Sequence, residues 1–554
     1  MSALFRLTLT LGLFAALSAH AQVIPPAVDP GALQQRQIEE DRRQRQLDEL
    51  RRGRIEKPVD ADAIKSPTKP ITGEEVRFLV KAVEFSVSEL LTRDELDALA
   101  APYQGRTVSL AEIQALVAQV NELYRKKGIV TAQAILPPQD LTAGIVRIRL
   151  IEGRVGKISV QGNESTNEDY LTARVRRQPG DLVVLSDLEQ DLVRFNRTND
   201  AQVRAELKPG EQVGQTDVQL LLTEPSRHSL KLFSDNHGST QTGELRGGLM
   251  YRNASLFGRR DDLTLTTSHA RGQESYSVAY GMPITTLGTR LNIAYYHDET
   301  EVKKGPFAAL DLHGRAEALV ASLRHPLVIG DTYQIDGVLG GKDRNTRNWF
   351  DDVLLQDTDT WDYSAGLEGQ LADNSGYWLA SITTSRAHSD QLGSASRQFN
   401  VWRGSLRRSH NLAPGYALVG SINWQYSGDD LLPASEQFLI GGEYSVRGYG
   451  SGLLSGDKGY NANLEFHHPV VLLEGPDAPK ASGFFFIDYG EVRPHRPPGD
   501  PRDHRDWIAS AGWGMSVAIG KNVSLRGTFG VPLEDVPEEP RGHRTTFQLV
   551  WSLL

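Results

Sequence analysis

The chain of 554 residues carries 60 Lys and Arg against 70 Asp and Glu, a net charge of −10, and no cysteine. That length calls for several domains, and the negative balance counts against nucleic acid as a partner. The lack of cysteine fits an oxidising compartment whose proteins avoid stray thiols.

The first residues read as an export signal. Arg6 supplies a positive start, residues 7–17 an apolar stretch, and Ala19-His20-Ala21 a small-residue cleavage site before Gln22. The apolar stretch is too short to span a bilayer, so residues 1–21 are expected to be a signal peptide and not an anchor. No later segment offers about 18 consecutive apolar residues. A chain 39% hydrophobic and 23% charged looks soluble on average, yet that average also suits an outer-membrane barrel, whose strands show lipid only every second residue.

Within residues 22–53 the spacing predicts a helix over 32–52, stopped by Gly53 and rich in Gln, Glu and Arg. Its large apolar residues are Leu33, Ile38, Leu47 and Leu50. A helix polar nearly all round is solvated or sits in a watery channel; a frayed tail fits the composition equally. A linker over 54–73 follows, with Pro58, Pro67 and Pro70, too poor in apolar residues to pack.

Residues 74–225 read as two similar α+β units. The first, 74–153, has a strand at 76–85 and helices opened by Thr92-Arg93-Asp94-Glu95 and Ser109-Leu110-Ala111-Glu112, then strands at 129–136 and 145–151. The second, 154–225, repeats that order: a strand at 157–161, a helix near 168–176, a helix after Ser186-Asp187-Leu188-Glu189, and strands at 201–207 and 217–222.

Beyond residue 225 the period changes to two. Leu263, Leu265 and Thr267 alternate with polar neighbours, as do Tyr276, Val278 and Tyr280, then Leu418, Ile422, Trp424 and Tyr426. One apolar face, aromatics near strand ends and Asn, Asp and Gly turns are the pattern of a transmembrane barrel over 226–554. At about 10 residues per strand, roughly 16 antiparallel strands fit, and a barrel of that size leaves a wet interior that something must plug. A soluble sandwich or propeller has neither a cysteine pair nor a blade repeat to support it.

Two short motifs stand among these strands: Val446-Arg447-Gly448-Tyr449 and, 41 positions on from the arginine, Asp488 within Phe486-Ile487-Asp488-Tyr489-Gly490. A guanidinium on a Gly-rich loop and a carboxylate in a strand can join as a planar, two-toothed pair. In a wide barrel that pair would pin the loop inside the lumen, which points to transport and not catalysis.

With Leu136-Pro137-Pro138-Gln139-Asp140-Leu141, Gly144 and Ile151-Glu152-Gly153, the first small unit resembles the first POTRA domain of two-partner secretion transporters of the haemolysin secretion/activation type. Asn196 and Lys208-Pro209-Gly210 resemble the matching stretch of the second POTRA domain. Asp235-Asn236-His237-Gly238 with Thr242-Gly243 is similar to the barrel entry, and residues 441–449 with 486–490 complete the likeness. It covers essentially the whole mature chain.

The resemblance implies a plug helix, two POTRA domains in the periplasm and a 16-stranded barrel in the bacterial outer membrane, its motif loop folded inward so that Arg447 meets Asp488. It implies capture of an unfolded large exoprotein (a haemolysin, adhesin or contact-dependent toxin) and its secretion through the pore. The alternative within the superfamily is an outer-membrane assembly factor, although those usually carry more POTRA domains. One departure stands: such barrels usually end in an aromatic residue, whereas this chain ends Trp551-Ser552-Leu553-Leu554, leaving Phe547 and Trp551 as the nearby aromatics. No cofactor, metal or catalytic residue is expected. Gly340-Gly341-Lys342-Asp343 lacks the spacing of a phosphate loop, no Gly-x-Ser-x-Gly elbow occurs, and His467-His468 reads as rim or lumen filling and not a metal site.

Overall fold

A strand can cross lipid only when both of its edges are paired, and the chain past residue 225 meets that demand by closure. The computed structural model describes residues 24, 26–51, 58–60, 77–129, 131–305, 308–475, 478–495, 505–537 and 542–554. The expected signal peptide and most of the linker at 54–73 lie outside these residues.

Sixteen antiparallel strands form the barrel: β10 (His228–Asp235), β11 (Arg246–Asn253), β12 (Asp262–Ala270), β13 (Gln273–Pro283), β14 (Arg290–Glu301), β15 (Leu312–Ile329), β16 (Tyr333–Phe350) and β17 (Val353–Asp373) make one half. The other half is β18 (Gly376–Gln391), β19 (Arg397–Ala413), β20 (Tyr416–Ser427), β23 (Lys458–Val470), β24 (Lys480–Arg493), β25 (Asp506–Ile519), β26 (Val523–Pro532) and β27 (Arg544–Ser552). Each pairs with the next, and β27 returns to β10. The loop between β20 and β23 folds back as a small hairpin, β21 (Phe438–Ile440) with β22 (Leu454–Gly456).

The period of two sorts side chains by face. Tyr276, Val278, Ile293, Tyr295, Trp361 and Leu367 stand exposed on the lipid side, while Asp298, Lys342, Arg344 and Asp488 lie buried on the inner side. Strand length departs from the expectation of about ten residues in one respect. β17 runs for 21 residues and β15 and β16 for 18 each, against the 9–11 or so that span a bilayer. The surplus carries this part of the wall beyond the hydrocarbon.

The first small unit opens with two strands where one was expected. β2 (Arg77–Val80) pairs with β4 (Arg106–Ser109), and β3 (Ala82–Phe85) pairs in parallel with β6 (Ile145–Ile151), which also takes β5 (Gln133–Ile135). The chain changes sheet at Lys81, whose N–H bonds the carbonyl of Gly144 at 2.7 Å. Both capping boxes form: Thr92 with Glu95 opens α2 (Arg93–Ala100), and Ser109 with Glu112 opens α3 (Leu110–Lys126). Ile113, Leu116, Val120 and Tyr124 of α3 fill the core against Val80, Val108, Val146 and Ile148. Glu152 ties the end of this unit together, accepting from the Ser88 hydroxyl, the Glu89 N–H and the Tyr124 hydroxyl.

The second unit is β7 (Arg154–Gln161), α4 (Glu168–Thr172), α5 (Leu185–Thr198), β8 (Gln202–Pro209) and β9 (Gln215–Thr223). Here the expected cap at Ser186 fails. The helix starts two residues earlier, at Leu185 after Val184, which makes no side-chain cap bond, so Ser186 falls inside the first turn. The helix near 168–176 also stops short, at Thr172; Arg176 turns away, its N–H and guanidinium both bonded to Asp191 at 2.8 and 2.6 Å.

Two features protect the sheet edges, which would otherwise recruit other chains. The side-chain amide of Asn121 bonds both the N–H and the carbonyl of Ala134 in β5, at 2.7 and 3.2 Å. Asn196 does the same to Val203 in β8, at 2.7 and 2.9 Å. The linker supplies the second device, contrary to the expectation that it would not pack: β1 (Val59–Asp60) adds in parallel to β8, and the carbonyl of Pro58 accepts from Ala205 at 2.8 Å. Asp200, just past α5, holds the unit to the barrel through the buried guanidinium of Arg260 in the β11–β12 turn. Replacing Asn196 by Ala removes both amide bonds to Val203. Hydrogen exchange at that backbone amide should then accelerate about tenfold; unchanged exchange would show that the edge is held by other means.

Candidate functional site

A barrel interior is wet, so a segment lodged there is held by polar bonds or not at all. The lumen holds two such segments, helix α1 (Pro30–Arg51) and the loop between β20 and β23.

The loop is pinned by Arg447. Its Nε and Nη2 donate to the two carboxylate oxygens of Asp488 at 2.7 Å each, and its backbone N–H adds a third bond at 3.0 Å. The planar fork expected from the sequence therefore forms, with Arg447 3% and Asp488 0% exposed. Nη1 reaches Glu465 in β23 at 2.5 Å, and the guanidinium lies 3.7 Å from the ring centre of Phe486. An ion pair out of bulk water needs its remaining hydrogen-bonding groups satisfied. Here Asn463 supplies a further bond to Asp488 at 2.9 Å.

The other motif residues explain themselves by fit. Gly448 has φ +87°, and a Cβ there would lie 3.1 Å from the backbone carbon of Gly530. Only glycine takes that conformation at little cost and approaches so closely. Gly490 leaves room for Val446, whose methyl would lie 2.9 Å from a Cβ at that position. Val446 and Tyr449 are fully buried in a small cluster with Ile440, Val492 and Ile508. The Tyr449 hydroxyl donates to the carbonyl of Glu534 at 2.8 Å and accepts from its N–H at 3.1 Å.

Sequence reasoning missed a second anchor. Glu443 accepts from the hydroxyls of Thr528 and Thr546 at 2.9 and 2.7 Å, with Arg526 at 3.6 Å. It also missed Glu436, on the first part of the same loop, buried and met by Lys342 at 2.6 Å, Arg344 at 3.2 Å and Arg403 at 2.9 Å. The alternation of strands β16 and β19 does put Lys342, Arg344 and Arg403 on the inner face, which was the available signal. His467 lies in the lumen with Nε2 2.8 Å from Glu465, whereas His468 stacks on Phe485. The lumen reading of the pair thus holds for His467.

Helix α1 threads the lumen, which decides between the channel and the frayed tail. Its first turn is capped by Asp29, which accepts from the Ala32 N–H at 2.8 Å and from Asn348 at 3.0 Å. Neutral amides hold the next turn: Gln34 bonds Asp298 and Arg344, and Gln35 accepts from Lys342 at 2.9 Å and Arg344 at 2.7 Å. Further along, Arg42 meets Glu368 at 2.6 Å and Glu49 meets Arg324 at 2.6 Å. Arg36 reaches the loop itself, bonding Ser451 at 2.5 Å.

The sequence signature of the haemolysin secretion/activation proteins ShlB/FhaC/HecB matches residues 214–517, more than half of the chain. The chain belongs to that family. The signature of the ShlB-type POTRA domain matches residues 78–153. The chain is 29% identical over 549 residues to the outer membrane transporter CdiB of Dickeya dadantii, covering 93% of this chain and 92% of that protein. It is 25% identical over 450 residues to the heme/hemopexin transporter protein HuxB of Haemophilus influenzae, covering 77% and 78%. The solved structure of CdiB from Escherichia coli shares the fold with a TM-score of 0.66 at 20% identity, covering 97% of this chain and all of that one. This family member is an outer-membrane transporter of two-partner secretion, with POTRA domains in the periplasm and a large secreted exoprotein as partner.

Placing a side chain at Gly448 tests the fit of the loop. Gly448→Ala combines an unfavourable φ with a crowded neighbour, at a cost of about 1–3 kcal/mol. Protease added to intact cells should then cut the loop, residues 428–457, faster than in the parent protein; equal protection would refute the close approach.

Proposed function

We propose that residues 74–153 and 154–225 act as two POTRA receptors for an unfolded exoprotein of the haemolysin, adhesin or contact-dependent-toxin kind. The polypeptide then leaves through residues 226–554 once α1 and the loop give way. The observation that carries this reading is the manner in which the lumen is filled. Both segments are fastened by side-chain hydrogen bonds and ion pairs, which exchange for water, and α1 brings almost no apolar surface with it. Sixteen strands around such a removable filling make a conduit.

Capture uses the open sheet edges, where an added strand gains main-chain bonds whatever its sequence. The outer groups of β5 are taken by the Asn121 amide and the matching edge of the second unit by β1. β7 ends the second unit's sheet with no strand on its far side among the described residues, so the second unit offers the incoming strand its landing site there. Direction comes from folding of the exoprotein outside the cell, since no nucleotide is at hand there.

Arg447 and Asp488 serve as the latch of the loop. Arg447→Ala leaves the carboxylates of Asp488 and Glu465 without their shared cation, which destabilises the inward loop. In cells producing transporter and exoprotein, this variant should insert normally, judged by heat-modifiable migration of the barrel, while extracellular exoprotein falls at least about tenfold. Secretion at the parental level would remove the latch. Deleting residues 30–51 empties the lumen of its helix, and single-channel conductance in planar bilayers should rise; an unchanged conductance would show that α1 does not obstruct the pore.

A further inference from the structure

The barrel closes between its first and last strands, and that seam is its shortest ladder. β10 and β27 share five opposed pairs, from Lys231↔Ser552 to Asp235↔Gln548, whereas β10 and β11 share eight. Past that ladder, at the end away from the POTRA units, one main-chain bond remains, from the Asn236 N–H to the Phe547 carbonyl at 3.3 Å, and side chains do the rest. The amide of Asn236 accepts from the N–H of Phe547 at 2.8 Å and donates to the carbonyl of Thr545 at 2.9 Å, standing in for one more residue of strand. Glu244, in the β10–β11 turn, meets Arg544 of β27 at 2.6 Å. Asp235 braces the same turn through Arg246 and through the N–H of His237.

The lumen loop touches both sides of this seam. Glu443 bonds Thr546 on β27, with its side chain 5% exposed, and the next residue, Tyr444, packs edge-on against His237 on the β10 side, ring centres 5.7 Å apart. Arg36 of α1 lies 5.9 Å from the Tyr444 ring. The entry motif Asp235-Asn236-His237 and the stretch Glu443-Tyr444 thus meet at one place.

We infer that these residues form a clasp over the outer end of the seam, so that the position of the loop governs whether β10 and β27 stay joined. Glu443 and Tyr444 are positioning residues in this device: they bridge the two strand ends, and withdrawing the loop to clear the pore removes the bridge. The clasp rests on the inward loop of the transporter and not on the Arg447 latch, so the two fail separately. An Arg447→Ala protein that secretes normally leaves the seam measurement intact.

Hydrogen exchange of the full-length protein in lipid nanodiscs, read by mass spectrometry on peptides from 228–235 and 544–552, tests it. In Glu443→Gln and in Tyr444→Ala, exchange in those two peptides should rise about tenfold while peptides of β16 keep the parental rate. Asn236→Ala, which leaves the loop untouched, should raise it from the other side. Thr546→Ser keeps the hydroxyl and should preserve protection, whereas Thr546→Val should lose it. Parental exchange at the seam in both Glu443→Gln and Tyr444→Ala, or a rise spread evenly over all strands, would overturn the clasp. Should one variant fail to insert, the other together with Asn236→Ala decides.

Discussion

Hydrocarbon allows no unpaired backbone group, and from that constraint the rest of this molecule follows. It forces the sheet to close, and closure at 16 strands makes an interior too wide for the wall's own side chains to fill. Whatever occupies that interior must be soluble in it. The lodged helix is accordingly polar almost throughout, and the inward loop is fixed by a guanidinium and four carboxylates, Glu436, Glu443, Glu465 and Asp488, with the small apolar cluster around Tyr449 beside them.

The anchors divide by what they must permit. Glu436 keeps its three cations whether or not the helix is present, because Lys342, Arg344 and Arg403 belong to the wall. Gln34 and Gln35 lay neutral amides on that finished cluster. Withdrawing Gln35 costs Lys342 and Arg344 a neutral acceptor while Glu436 still pairs them, whereas removing Arg447 leaves Asp488 without its cation. Burying a charge without its partner is costly, and losing one neutral hydrogen bond is modest. The Gln35 contact is thus the cheaper to exchange, while the helix's ion pairs Arg42–Glu368 and Glu49–Arg324 and the loop's Arg447–Asp488 are the dearer.

Much of this was legible in the residues. The alternation from Leu263 to Phe529 announced the barrel, and Arg447 with Asp488 could be paired because each lies in a compact motif of its own. Glu443, Glu465 and Glu436 were not found, for physical reasons. For Glu465, parity along β23 tells which face its side chain takes, but its partner depends on the register of strands that closure alone sets; Glu436 and Glu443 lie on the loop, where no period marks which wall residues they will meet. Local signals were also overruled locally. Ser186 reads as a cap, yet the helix begins at Leu185, and Asp187 and Asp191 of its first turns are bonded by Arg177 and Arg176. The short strand Val59–Asp60 carried no signal at all, since two residues added to a neighbouring sheet leave no periodicity to detect.

The glutamines at the tip of the helix have one more consequence. A primary amide offers the same carbonyl and N–H as a peptide group, so the donors that face Gln34 and Gln35 are matched to the main chain of any protein. A threaded polypeptide of arbitrary composition can take over those contacts residue by residue, and the wall it slides along is never left bare.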